Sequence, residues 1–345
     1  MMEIQENIPL REFTTFRTGG PARFLLTAHN ARDVREAVAF AENKGLLLIP
    51  LGSGSNMVAP DAGLDAVLLR YVPNAVHAEE GIEGIISADA GLLWDSLVAL
   101  VVESNWWGAE NLSAIPGTVG AAVVQNIGAY GVALSEIVAQ VEVFDTNAKN
   151  FMTFSNAACA FGYRTSIFKK EKDRYIITKV TFRFSTTARP RLEYKDVAAY
   201  FTQNADEPTV ARIREAVILI RQKKFPPLTE YGTAGSFFLN PIITEAESSA
   251  VHERFPGMPL FKLPEGGVKV PLAWILDHVL SLKGERTGKA FLWEAQPLVI
   301  AAERGASAED VVMLATKVAR AVHDATNIVI VPEVRLFGAE KKIGA

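Results

Sequence analysis

The chain has 345 residues, 49% of them apolar and 21% charged, with a net charge of −4. That length exceeds one ordinary core and predicts two or three domains, and the composition excludes a disordered or low-complexity chain. The negative balance argues against a nucleic-acid partner, and Cys159, the one cysteine, excludes an internal disulfide and any cysteine-based metal cage.

Cys159 reads as a small core hydrophobe. With no run of 18 apolar residues, and an opening MMEIQENIPLREF that lacks a basic stretch followed by an apolar one, the expectation is no membrane span, no secretion signal and a cytoplasmic protein. Along the chain, a polar turn at Thr18–Pro21 leads into a strand at Phe24–Thr27. A helix follows, capped by Asn30 and stopped by Gly45, with Val34, Ala37, Val38 and Ala41 on one face. Leu46–Leu51 then reads as a buried strand feeding Gly52, Ser53, Gly54, Ser55 and Asn56. A Rossmann fingerprint fails there because Met57 stands where a glycine is required and residues 59–63 read as a turn; no Gly-Lys-Ser/Thr closes a P-loop. What survives is a turn with free N–H groups and two hydroxyls, adequate for a diphosphate without help from a helix dipole.

Strands at Ala66–Arg70 and Ile85–Ala88 and a helix from Leu92 to about Ser104 precede the most distinctive stretch, Asn111–Gly131, NLSAIPGTVGAAVVQNIGAYG. Glycines at 117, 120, 128 and 131 stand among small and apolar residues with almost no charge. Bare glycines let backbone N–H groups approach a diphosphate, and Ile115, Pro116, Val119 and Ile127 offer walls for a flat ring, so this reads as a cofactor cradle; a solvated loop would carry more charge. A hairpin follows around residues 146–150, and Tyr175–Phe184 alternates as a half-buried strand. Between them Arg164 stands among aromatics in FGYRTSIFKK, either an arginine whose stem packs while its head reaches water or an anion-binding group.

Residues 186–191 read as a domain joint, and Thr209–Lys224 as a helix ending in Arg221-Gln222-Lys223-Lys224, which either suits the helix C-terminus or clamps phosphates. GTAGSFFLN, residues 232–240, predicts a small-residue turn with Ser236 where an apolar strand begins, and such a serine is usually a turn former. Helices are expected at Thr244–Phe255, Leu272–Leu280 and Ser307–Ala325, alternating with strands at Pro297–Ala302 and Asn327–Phe337. On the last strand Glu333 and Arg335 share a face, turned either to solvent or into a cleft.

The five histidines are scattered and no metal or triad motif appears, so no metal site is expected. An apolar glycine-rich cradle suits a cofactor that carries the reaction itself; without His or Cys in residues 111–131, a flavin there would be held non-covalently.

The segments NLSAIPGTVGAAVVQNIGAYG, FGYRTSIFK, AGSFFLNP and VPEVRLFG, in that order, resemble the signature segments of the UDP-N-acetylenolpyruvoylglucosamine reductase family, flavoenzymes of peptidoglycan precursor synthesis. The resemblance spans nearly the whole chain. It implies an α+β fold: a vanillyl-alcohol-oxidase-type (PCMH-type) FAD-binding region of two subdomains, residues 1–70 completed by a strand at 326–340 and residues 71–206, plus an α+β substrate-binding domain at 207–325. It also implies FAD, NADPH as hydride donor and UDP-N-acetylglucosamine enolpyruvate as substrate, in a monomer. By the same carry-over Arg164, Glu333 and Ser236 are catalytic, stabilising the substrate carboxylate, orienting it and supplying a proton. Gly52–Asn56 with Ile115, Pro116, Gly117, Gly120, Ala121, Ile127, Gly128 and Tyr130 hold FAD, which Arg221 and Arg335 also reach, while Tyr194, Lys224, Asn240 and Gln296 bind the UDP-sugar. LEYKDV around Tyr194 and the stretch 255–274 resemble the larger family type, with a tyrosine loop, whereas TTFRTGGPARF resembles the shorter. Ala121–Val124 and Leu239 stand where polar serines with a proline, and a lysine, are common in the family. The alternatives are another flavin oxidase or dehydrogenase of this fold acting on a sugar or alcohol, and a non-catalytic UDP-sugar-binding protein.

Overall fold

Packing divides the chain into one unit of Met1–Ile8, Ala22–Ser53 and Asp65–Lys223 and a second of Pro9–Pro21, Gly54–Leu64 and Lys224–Ala345. The structure, a computed structural model, describes residues 2–78, 83–205, 207–263, 266–337 and 343; the expected domain end at 206, positions 264 and 265, and positions 338–340 of the C-terminal strand lie outside these.

In the first unit, a four-stranded sheet orders Glu3–Pro9, Pro21–Ala28, Leu64–Tyr71 and Leu47–Pro50, with the last pair parallel. Helix α1 (Ala31–Lys44) begins and ends as expected: the Asn30 side chain accepts from Arg32 and Asp33 N–H, and Gly45 closes it in the left-handed conformation at φ 65°. Its stripe of Val34, Ala37, Val38 and Ala41 is buried against Phe24, Leu26, Val67 and Leu69. A second sheet, antiparallel throughout, orders Asn150–Ser155, Val138–Asp145, Tyr175–Arg183, Ile85–Asp89 and Val76–Ala78. Helix α2 (Trp94–Glu103) packs Trp94, Leu97, Val98 and Val101 in the core behind this sheet.

The glycine-rich stretch is not an open loop throughout. Its middle forms helix α3 (Val119–Gln125), started by the Thr118 hydroxyl, which accepts from Ala121 N–H, and ended by Asn126 at φ 44°. Two caps around a run of small and apolar residues suffice for two turns once tertiary contacts bury Val119, Ala122 and Val123. A single turn, α4 (Ile167–Lys170), follows Arg164, and α5 (Lys195–Asn204) follows Tyr194. Helix α6 (Val210–Lys224) buries Ile213, Ala216 and Val217 against Trp107, Tyr130, Val197 and Phe201. That cluster keeps it in the first unit, whose last segment ends at Lys223.

The second unit holds a four-stranded antiparallel sheet in the order Gly232–Ser236, Val299–Ala302, Ala290–Leu292 and Arg286–Thr287. Helix α7 (Glu245–Arg254) starts on a capping box from Thr244 to Glu247. The helix expected over 272–280 is a single turn, α8 (Leu272–Trp274), continued by a π turn at Ile275–Val279. Helix α9 (Ala308–Thr326) has the Ser307/Asp310 capping box expected from its sequence and buries Val311, Leu314, Val318 and Val322 in the core with Phe237 and Phe238. The expected strand at 327–337 shrinks to Arg335–Leu336, parallel to Met57–Val58. Asn327 still caps α9 at φ 58°, and Pro332, without an N–H, contributes only an isolated bridge to Phe238.

Candidate functional site

The cradle in the first unit is built by close approach. A Cβ at Gly52 would lie 2.9 Å from Thr118 Oγ1 and 3.2 Å from Ala121 Cβ, so the end of the Leu47–Pro50 strand meets the start of α3 only because that side chain is missing. Beside it, the Ser53 hydroxyl is buried with no hydrogen-bond partner among the described residues. The N–H groups of Val119 and Gly120 donate to the carbonyls of Leu92 (2.8 Å) and Ala90 (3.0 Å), so they hold α3 against its neighbours. Ile115, Gly117, Ala121, Ile127 and Gly128 are all half-buried and Pro116 is exposed, leaving a small, uncharged, partly open surface. Small residues, apolar walls, a strand turn closed by glycine and an orphaned buried hydroxyl fit FAD.

Arg164 adopts φ 52°, a left-handed conformation uncommon for an arginine. Its guanidinium donates to the Gly128 carbonyl, and a Cβ at Gly128 would lie 2.7 Å from Arg164 Nη1. The arginine is thus laid along the cradle and is half-buried rather than flared into water.

Helix α6 presents Arg214 and Arg221 to the same cradle. Arg214 forks onto Asp95 of α2 through bonds of 2.6 and 2.9 Å. Asp95 Oδ1 also accepts from Ala114 N–H at 2.6 Å, and Arg221 Nε donates to the Ala114 carbonyl at 3.1 Å, so both sides of this left-handed residue (φ 56°) are gripped. Burial pulls the Arg221 pKa down against the opposing pull of Tyr130 and Asp95. The Tyr130 hydroxyl is pushed up to about 12, chiefly by burial, and stays protonated at neutral pH. Its ring meets Tyr194 edge to face, with centroids 5.2 Å apart. Tyr194 stands at the start of α5 and is 42% exposed.

In the second unit Ser236 ends its strand rather than beginning one, because the pairing with Val299 comes after an irregularity at Ala234 and Gly235. The chain continues extended: Phe237 N–H donates to the Leu298 carbonyl (2.8 Å), and Glu333 N–H donates to the Phe237 carbonyl (2.8 Å). Ser236 and Glu333 are therefore brought onto adjacent backbone segments, though they lie almost a hundred positions apart. Asn56 joins them, with Nδ2 donating to the Glu333 carbonyl (3.4 Å) and its own carbonyl accepting from Arg335 N–H (3.0 Å). Glu333 and Arg335 are half-buried, not on an open solvent face, and the Arg335 guanidinium lies 4.3 Å from the Phe337 ring centroid. Asn240 Oδ1 accepts from Leu272 N–H (3.0 Å), starting α8, and Gln296 closes a turn with Trp293 and Val299. Lys224 is the last residue of α6 and is half-buried.

Sequence reasoning missed Asp95, Arg214, Thr118, Gln125 and Lys169. Thr118 carried a readable signal, a capping residue ahead of a small apolar run; Asp95, Arg214 and Gln125 act through partners distant in sequence, and Lys169, five positions from Arg164, meets that carbonyl through a turn no periodic pattern marks. Among the described residues no group of His, Cys, Asp or Glu is placed to hold a metal, and no helix is long and apolar enough to cross a membrane.

Comparison with known proteins bears on both units. Residues 22–151 match the FAD binding domain family, and residues 226–337 match the UDP-N-acetylenolpyruvoylglucosamine reductase C-terminal domain family. The UDP-N-acetylenolpyruvoylglucosamine reductase of Ralstonia nicotianae is 36% identical over 339 residues, covering 96% of this chain and 99% of that protein. That of Flavobacterium johnsoniae is 33% identical over 341 residues, covering 97% and 100%. The crystal structure of UDP-N-acetylenolpyruvylglucosamine reductase from Thermus caldophilus aligns with a TM-score of 0.68 at 23% identity, covering 98% of this chain and 100% of that one, and shows a shared fold. The architecture is α+β with a PCMH-type FAD-binding region. Full-length likeness at this identity, together with a match to each of the two domain families in order, places the chain in the UDP-N-acetylenolpyruvoylglucosamine reductase family.

Proposed function

We propose that this protein is an NADPH-dependent flavoenzyme that reduces the enolpyruvyl ether of UDP-N-acetylglucosamine enolpyruvate to UDP-N-acetylmuramate, in peptidoglycan precursor synthesis. The observation that carries the reading is Arg164, a guanidinium laid along the Gly128 edge of a cradle that fits FAD. Bound in that cradle and reduced by NADPH, FAD would supply the hydride for the terminal carbon of the enolpyruvyl group. An enol ether is electron-rich, so that attack needs its carboxylate as an electron sink. Arg164 stabilises the negative charge that develops there with a planar fork that no lysine reproduces. Glu333 orients the carboxylate by hydrogen bonding. The Ser236 hydroxyl then protonates the carbon next to the carboxylate; serine is a weak acid, but it faces a strongly basic, enolate-like carbon. The backbone bond from Glu333 N–H to the Phe237 carbonyl, which joins the segments carrying Ser236 and Glu333, supports this pairing.

The diphosphate of FAD is assigned to Gly52–Asn56, and its ring to Ile115, Pro116, Gly117, Gly120, Ala121, Ile127, Gly128 and Tyr130, with Arg221 and Arg335 adding positive charge. Tyr194, Lys224, Asn240 and Gln296 bind the UDP-sugar, and the exposure of Tyr194 supports a tyrosine loop of the larger family type. The reading makes the protein a cytoplasmic monomer.

An anaerobic visible spectrum tests it. The purified protein is expected to be yellow, to bleach with NADPH and to turn yellow again on adding UDP-N-acetylglucosamine enolpyruvate. Recovery of colour with oxygen alone would point to an oxidase, and a protein that stays colourless with added FAD would leave only a UDP-sugar-binding module.

A further inference from the structure

The turn that carries Arg164 is tied to α3 by three side chains. Asn126 Nδ2 donates to the Gly162 carbonyl (2.9 Å), Ser166 Oγ to the Val124 carbonyl (2.8 Å), and Lys169 Nζ to both Gln125 Oε1 (2.9 Å) and the Arg164 carbonyl (3.0 Å). Of these ties, the lysine grips the peptide of Arg164 itself. A left-handed backbone is disfavoured for any residue with a Cβ, so Arg164 keeps φ 52° only while its surroundings hold it. A bond from an ammonium to that carbonyl is charge-assisted and stronger than a neutral one. Lysine alone is a flexible point charge. Gln125, at the C-terminal end of the cradle helix, fixes where the ammonium sits.

We infer that Lys169, seated by Gln125, is a positioning residue that holds Arg164 in the orientation its chemistry requires. Its charge acts on the backbone of the arginine and not on the substrate. The inference rests on the role proposed for Arg164, and it predicts an unequal effect on the two half-reactions. Reduction of FAD by NADPH has no enolpyruvyl carboxylate to stabilise, whereas reoxidation by the UDP-sugar does.

Lys169→Met keeps the stem and removes the charge. In the FAD-loaded protein it should slow reoxidation by UDP-N-acetylglucosamine enolpyruvate at least ~10-fold and weaken calorimetric binding of UDP-N-acetylmuramate, which carries a carboxylate, by a similar factor. Reduction by NADPH should stay within about twofold, and the thermal midpoint should barely move. Gln125→Leu should show the same inequality at roughly threefold, and it decides the matter if Lys169→Met does not fold. Equal slowing of both half-reactions alongside a fallen midpoint would mean a merely structural lysine and overturn the inference, as would unchanged reoxidation and binding. Arg164→Lys separates the two readings. Slow reoxidation in that variant with wild-type behaviour in Lys169→Met sinks the inference alone, whereas wild-type protein that the UDP-sugar cannot reoxidise sinks the function it rests on.

Discussion

At Gly128 a single methyl group decides where the arginine goes. An alanine Cβ there would lie 2.7 Å from Arg164 Nη1 and 3.1 Å from the Val132 carbonyl. The first contact is with the far end of a flexible side chain, which swings away at little cost; the second asks the backbone to give by a few tenths of an ångström. Gly128→Ala should therefore cost stability only about 1 kcal/mol while displacing the guanidinium from its place on the cradle. Displacement of a charge-stabilising group by about 1 Å is worth on the order of 100-fold in rate. Steady-state kcat and a melting curve on the same preparation check this; a variant with wild-type kcat would show that Arg164 does not work from the observed position.

At the scale of elements, the cradle depends on helices that do not belong to it in sequence. Helices α2 and α6 grip Ala114 through Asp95, Arg214 and Arg221, immediately ahead of Ile115 and Pro116. Burial works to raise the Asp95 pKa, but the Arg214 hydrogen bonds and the Ala114 N–H outweigh it and hold the carboxyl below its ordinary value. Asp95→Asn preserves the shape and removes the charge, leaving Arg214 with a weaker partner. FAD affinity is expected to fall roughly 10-fold, about 1.4 kcal/mol, measured by quenching of flavin fluorescence as the apoprotein is titrated. Unchanged affinity would mean that the grip on Ala114 has no bearing on the cofactor. Helix α3 carries a related lesson. Its sequence reads as a cofactor cradle with no helix marked in it, yet caps at Thr118 and Asn126 and burial of Val119, Ala122 and Val123 make its middle a helix.

For the molecule as a whole, acid should loosen the first unit through paired carboxylates. Asp145 is buried where the 138–145 strand turns into the 150–155 strand, and it accepts from Arg174 Nη2 at 2.9 Å and Nε at 3.2 Å, and from Asn147 N–H at 2.9 Å. The Arg174 hydrogen bonds, helped by the turn N–H groups, hold its pKa below the usual carboxylate value against the opposing effect of burial. A depressed folded-state pKa contributes stability that is full above the unfolded value of about 3.9 and is lost as pH falls through the folded one. Asp145→Asn should thus lower the melting temperature by roughly 3–6 °C at pH 7, and the gap to wild type should narrow below about pH 3. A gap independent of pH would rule out the ion pair as its cause.

Local chemistry made part of this protein legible in sequence. The Asn30 and Gly45 caps, the Ser307/Asp310 capping box and the 138–155 hairpin are all decided by residues within a few positions of one another, where steric preference and side-chain capping act. Four ordered motifs carried the family. Tertiary structure alone decided the rest. The apolar run in residues 327–337 promised a strand, but a ladder needs a paired neighbour, and Pro332, without an N–H, offers only an isolated bridge. Leu272–Leu280 kept its helical period yet took a π turn that no periodicity encodes. Helix α6 joins the first unit because its apolar face finds Trp107 and Tyr130, more than eighty positions earlier. The seating of Lys169 by Gln125 and the grip of Asp95 on Ala114 likewise come from side chains that meet only after folding, so composition and spacing, which report on near neighbours, could not reveal them.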